Sequence, residues 1–254
     1  SLYASKCSVK DYPSRSLCWQ CICMYNDNMQ RRFDFSIGEY YHIYNRGTDK
    51  RTIFLNSYDY NRFIVLLYLC NSTKPVDISN LIREGLSFTD LLGIKIEERL
   101  VDVGAYCLMP NHFHLLVREN RENGISLFMK KLLTAYSMYF NKKNDRKGRL
   151  FEGSFSAKHA DTDEYLKYLF SYIHLNPIKL IDSEWKENGI KDMVGAKKYL
   201  DGYFYSSYLD YFGINRKESE ILTPEVFPEY FSEFSDFEYF IDEWLSFKAK
   251  DELE

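Results

Sequence analysis

Apolar and polar positions switch period several times along this chain. Residues 39–47 (EYYHIYNRG) and 112–119 (HFHLLVRE) alternate as strands do, and 99–109 (RLVDVGAYCLM) reads as a third extended run. Pro110 and Asn111 form the turn between the last two. A period of three and four then takes over. Ile125, Phe128, Met129, Leu132, Leu133, Tyr136 and Phe140 predict one long amphipathic helix over 124–145. Phe63, Leu66, Leu67 and Cys70 predict an earlier helix, capped by Asp59. Residues 150–161 read as a fourth strand. TDEYLKYLFSYIHLNPIKL follows as a helix capped by Thr162 or Asp163 and stopped by Pro177. Short helical pieces are predicted in the connector 71–97. Weaker helical signals lie near 191–212 and 236–249.

The order β-α-β-β-α-β-α predicts an α+β fold: a ferredoxin-like antiparallel sheet with helices on one face plus one added helix. The opposite sheet face is expected to stay open for binding. No run of eighteen apolar residues exists, so no membrane span is expected. The first residues lack the plan of a signal peptide, and a soluble cytoplasmic protein is the expectation.

Charge changes the picture only when divided along the chain. The net of −4 conceals a body of +6 over residues 1–200 and a tail of −10 over 201–254. A basic body permits a nucleic-acid partner. The acidic tail is expected to be a solvated appendage. Aromatic residues reach 17%, which suits a packed core and also surfaces that stack on bases. Four of the six cysteines crowd the first 28 residues, and Cys18-x-x-Cys21 is only half a zinc site. Three regions are expected. Residues 1–28 would be a peripheral or non-native segment, 29–182 the main domain, and 183–254 a helical acidic extension.

The candidate chemistry starts at His112 and His114. On a strand they share one face with Leu116, while Phe113, Leu115 and Val117 face the core. Two imidazoles at i and i+2 can hold one divalent ion, or they can be two polar residues on a wetted face. Tyr172 and Asn176, four apart, point one way on a helix, and His174 points elsewhere. A phenol and an amide carbonyl presented to an imidazole-bound metal make a set suited to phosphoryl transfer.

The segments YYHIYNRG, AYCLMPNHFHLLV, GRLFEGSFSAKHADT and YLFSYIHLNPIK resemble the HUH single-strand transposases, in the branch of the REP-associated tyrosine transposases, the IS200-like group. The resemblance covers roughly residues 36–182. It implies that His112, His114 and Asn176 bind Mg²⁺ or Mn²⁺ and that Tyr172 is the nucleophile. It also implies cleavage of single-stranded DNA beside a hairpin, leaving a 5′-phosphotyrosine and a free 3′-OH. The acidic extension and the first 28 residues have no counterpart in that pattern.

Other residues compete for roles. Tyr136 and Tyr139 are rival nucleophiles, with packing the expected role. His42 is expected on the open face of the first strand as polar surface, and His159 is a candidate phosphate contact. Arg46, Lys142, Lys143, Arg146, Lys147, Arg149 and Lys158 are candidate DNA contacts, with Lys50 and Arg51 beside them. The partner expected is single-stranded DNA with a hairpin, no membrane, for a monomer or homodimer. Two other readings stay open: a non-catalytic binder of single strands or hairpins, and a zinc hydrolase, for which no suitable carboxylate is found.

Overall fold

Four strands form one antiparallel sheet in the order β2-β3-β1-β4. They are β1 (Tyr40–Arg46), β2 (Val101–Met109), β3 (His112–Glu119) and β4 (Ser156–His159). The structure is a computed structural model and describes residues 34–231 and 233–246. Residues 1–28, expected to be peripheral, lie outside the described residues. The remaining elements are α1 (Ser57–Leu69), α2 (Ile78–Arg83), α3 (Phe88–Leu92), α4 (Gly124–Lys143) and α5 (Asp163–His174). Then come α6 (Trp185–Asn188), α7 (Met193–Asp201), α8 (Tyr208–Tyr211) and α9 (Phe234–Ser246).

The strand order with α1 and α4 as the two crossovers is ferredoxin-like, as the pattern predicted. Strand alternation sorts the side chains into two cores. Ile43, Phe113, Leu115 and Val117 join Phe63 and Leu66 of α1 and Phe128 and Leu132 of α4 in the first. The start of α4 is set by Glu119, a buried carboxylate at the end of β3. Its oxygens accept the Gly124 and Ile125 N–H groups at 2.9 and 2.7 Å.

The second face is not left open. Ala105, Cys107, Met109 and Leu116 project from it and are covered by Leu166, Leu169, Phe170 and Ile173 of α5. An apolar sheet face of this kind must be covered, which overrides the expectation of an open surface. The acidic extension supplies the rest of the cover. Tyr208, Phe227, Phe237 and Ile241 are all buried in the same core.

The extension also closes an edge. β2 ends the sheet and would expose a row of unpaired backbone groups. Instead Leu108 N–H donates to the Tyr205 carbonyl at 2.9 Å and Ser207 N–H to the Tyr106 carbonyl at 2.9 Å. The Thr223 N–H reaches the Val103 carbonyl at 3.0 Å, and its Oγ1 accepts the Val103 N–H at 3.0 Å. Pairing between β2 and β3 shifts register around Gly104, where the Phe227 ring lies against the strand. A Cβ there would come within 2.6 Å of that ring. The tail is therefore part of the fold rather than a solvated appendage.

Candidate active site

β3 carries His112 and His114 on the α5 face, and β1 lies beside it with Arg46 opposite His112 and Tyr44 opposite His114. The two imidazole centroids are 5.0 Å apart. Each ring already has one nitrogen engaged. His112 Nδ1 lies 2.6 Å from Asn111 Oδ1, and His114 Nδ1 lies 2.9 Å from His42 Nε2. The other nitrogen of each ring is Nε2, the atom that could meet a metal. A ring nitrogen fixed on one side presents the other in a defined direction, as metal sites require.

His42 was expected at the polar surface. It is instead buried, stacked 5.1 Å from His114 and edge-on to Tyr172 at 5.6 Å. Its partner is 72 residues away on the neighbouring strand, so nothing in the local sequence revealed it.

α5 brings the phenol. Thr162 caps the helix by accepting the Tyr165 N–H at 3.2 Å, and the apolar stripe Leu166, Leu169, Phe170 and Ile173 fixes its rotation on the sheet. Tyr172, half-buried in the last turn, sets its ring 5.5 Å from that of His114. The helix ends at His174, and Asn176 opens a short 3₁₀ segment with Pro177. Asn176 is buried, and its Nδ2 donates to the Tyr172 carbonyl at 2.7 Å. That bond holds the end of the helix and leaves Oδ1 as the amide's acceptor.

Burial, with the charges of Lys179, Arg46 and Lys186 adding to it, brings the His112 imidazole down to about 4. His114 lies well below its ordinary value for the same first reason, and His42 falls to about 3 through burial, then Lys158 and Lys186. All three rings are neutral at neutral pH, the state in which imidazole binds metal. Among the described residues no three His, Cys, Asp or Glu side chains gather around a metal-sized space. Imidazole nitrogens such as those of His112 and His114, 5.0 Å apart between ring centroids, are donors that could hold a divalent ion. The half zinc site at Cys18 and Cys21 lies outside the described residues.

His174, His159 and the two rival tyrosines have structural partners. His174 is buried against Ser207 Oγ at 2.7 Å, and His159 pairs with Glu39 at 2.8 Å. Tyr136 is buried and donates to the Ile53 carbonyl at 2.6 Å, while Tyr139 donates to Asp59 at 2.6 Å. Burial first, with Asp59 adding to it, raises both phenols above their ordinary value, which suits packing rather than attack.

The basic candidates divide by sheet face. Arg46 stands beside His112 and also pairs with Glu152 at 3.2 Å. Lys158 stands opposite His42 on β4. Lys142, Lys143, Arg146, Lys147 and Arg149 follow from α4, which packs on the face away from the histidines. Within this group Lys143 is held by buried Asp59 at 2.5 Å and lies over Tyr58 and Tyr139. Arg146 bonds Asn141 at 2.8 Å. Lys179 and Lys186, neither singled out in the sequence, do reach the histidine side.

Comparison with known proteins gives a family match. The family described as "Transposase IS200 like" matches residues 69–176, a span that holds His112, His114, Tyr172 and Asn176. No curated protein matches the chain. A solved structure described as "Structure of the REP associates tyrosine transposase bound to a REP hairpin" is 12% identical, with a TM-score of 0.45. The match covers 76% of this chain and 90% of that one. The family match bears out the resemblance drawn from the motifs over residues 69–176. Among the described residues no helix is long and apolar enough to cross a membrane.

Proposed function

We propose that this chain, similar to the IS200-like transposases across residues 69–176, cleaves and rejoins single-stranded DNA through a covalent tyrosine intermediate. The observation that carries the reading is the convergence of Tyr172 on the His112–His114 pair, with ring centroids 5.5 Å apart between Tyr172 and His114.

In this reading the Tyr172 phenol oxygen attacks the scissile phosphorus. A bond forms from that oxygen to phosphorus while the bond from phosphorus to the 3′ oxygen breaks. The phenol gives up its proton, and the departing 3′ oxygen takes one. The product is a 5′-phosphotyrosine and a 3′-hydroxyl, and the reverse reaction rejoins a strand without ATP. His112, His114 and Asn176 would hold Mg²⁺ or Mn²⁺. When bound, such an ion would polarise a phosphate oxygen and help to align the phosphorus. His42 orients the His114 ring, and Asn176 fixes the turn that presents Tyr172. Arg46 and Lys158 bring positive charge to the same face for the DNA backbone. The hairpin beside the cleaved strand is implied by the motif resemblance.

A labelled oligonucleotide tests the substrate. Hairpin-flanked single strand should be cut in Mn²⁺ and matched duplex left intact, with binding that weakens as salt rises. Equal cutting of both substrates would overturn the single-strand reading.

A further inference from the structure

We propose that Lys186, supplied by the extension beyond the family match, is a catalytic residue whose ammonium meets the non-bridging oxygens of the scissile phosphate beside Tyr172. The proposal rests on the nuclease reading above and adds to it a residue that the four motifs do not contain.

The position is built rather than incidental. α6 is a short turn fixed by Trp185, which is only 3% exposed and packs in the second core. The next residue, Lys186, is half-buried and sets its Nζ 4.1 Å from the centre of the Tyr172 ring. The phenol oxygen lies about 2.8 Å from its own ring centre by ordinary bond lengths, so an amine at this site is within reach of a group bonded to that oxygen. The Tyr172 ring beneath this ammonium stands 5.5 Å from the His114 ring, so the cation lies on the histidine side of the sheet, where it can meet an anion. The group that must enter there during strand transfer is a phosphodiester, which gains charge on its non-bridging oxygens as the phenol attacks. A fixed cation at that point stabilises the transition state more than the ground state.

Single-turnover cleavage of a hairpin-flanked oligonucleotide in Mn²⁺ tests this with Lys186→Met, Lys186→Gln and Lys186→Arg. Methionine and glutamine should each slow adduct formation about 100-fold, and arginine should stay within about tenfold of wild type. The same series is run on an oligonucleotide carrying a methylphosphonate at the scissile position, which removes the charged oxygen. There the difference between wild type and the neutral variants should collapse toward one. In the Tyr172→Phe background, which binds DNA without cutting it, the binding preference for phosphate over methylphosphonate at that position should shrink when Lys186 is neutral. A wild-type rate in both neutral variants would overturn the proposal, as would a defect that persists unchanged on the methylphosphonate. If wild-type protein forms no adduct in Mn²⁺ or Mg²⁺, the nuclease reading falls and the role of Lys186 with it. If wild type forms the adduct and the neutral variants equal it, Lys186 alone is refuted.

Discussion

His42 Nε2 lies 2.9 Å from His114 Nδ1, and both rings are buried. For His114 to offer a lone pair at Nε2, its proton must sit on Nδ1 and be donated to His42. His42 then accepts at Nε2 and carries its own proton on Nδ1. A bond in that direction leaves the outer nitrogen of His114 as the one a metal would take.

Replacing that acceptor should be felt at the metal and not only in the fold. His42→Gln keeps an acceptor near the position of Nε2, whereas His42→Met fills similar space without one. Calorimetry with Mn²⁺ should show the methionine variant about 10- to 100-fold weaker and the glutamine variant within a few fold of wild type. Equal affinity in both variants would mean that His42 serves packing alone.

His112 and His114 should act together. In the proposed site each would offer one Nε2 to the same ion, so His112→Ala should weaken Mn²⁺ binding and the double alanine variant should remove it. Both should still unfold in one cooperative transition. Unchanged Mn²⁺ affinity in the double variant would show that the donor set is misassigned.

The strands, the two crossover helices and the histidine face were legible because period and spacing are local properties. Phe113, Leu115 and Val117 alternate with His112 and His114, and no other fold information is needed to sort them. His42 was not legible, since its meaning lies in a neighbour 72 residues distant. The ferredoxin-like order itself contained the clue, because it places β1 beside β3. The extension differs for another reason. Its charge run masks the stripe Phe237, Phe240, Ile241 and Leu245, whose three- and four-residue spacing marks a buried helix face. The place of Lys186 is hidden in the same way, since it depends on Trp185 docking in the second core.

The extension should contribute to stability as a core element. Phe237 is fully buried, with ring neighbours Tyr211 and Phe231 at 5.1 Å and His174 at 5.3 Å. Phe237→Ala should cost about 3–5 kcal/mol in urea unfolding, as for other buried aromatic truncations. A loss below about 1 kcal/mol would show the tail to be peripheral after all.

Buried neutral histidines also set a pH dependence. Burial brings His174 down to about 3, against about 6.5 in an unfolded chain. The unfolded chain therefore takes the proton first as pH falls. Stability from this group is fully present above pH 6.5 and is lost on the way down toward pH 3. Between pH 7.5 and 5 the loss is about 2 kcal/mol. His174→Gln should remove that part of the slope in chelator-treated protein. An identical pH slope in the variant would contradict the assignment.

The most direct measurement is the covalent adduct itself. Labelled hairpin DNA and Mn²⁺ are mixed with protein and resolved on a denaturing gel. Wild type should give a protein–DNA band, and Tyr136→Phe and Tyr139→Phe should keep it. Tyr172→Phe removes a single oxygen, so it should fold and bind DNA yet give no band. A band that persists in Tyr172→Phe, or that disappears instead in the Tyr136 or Tyr139 variant, would contradict the account.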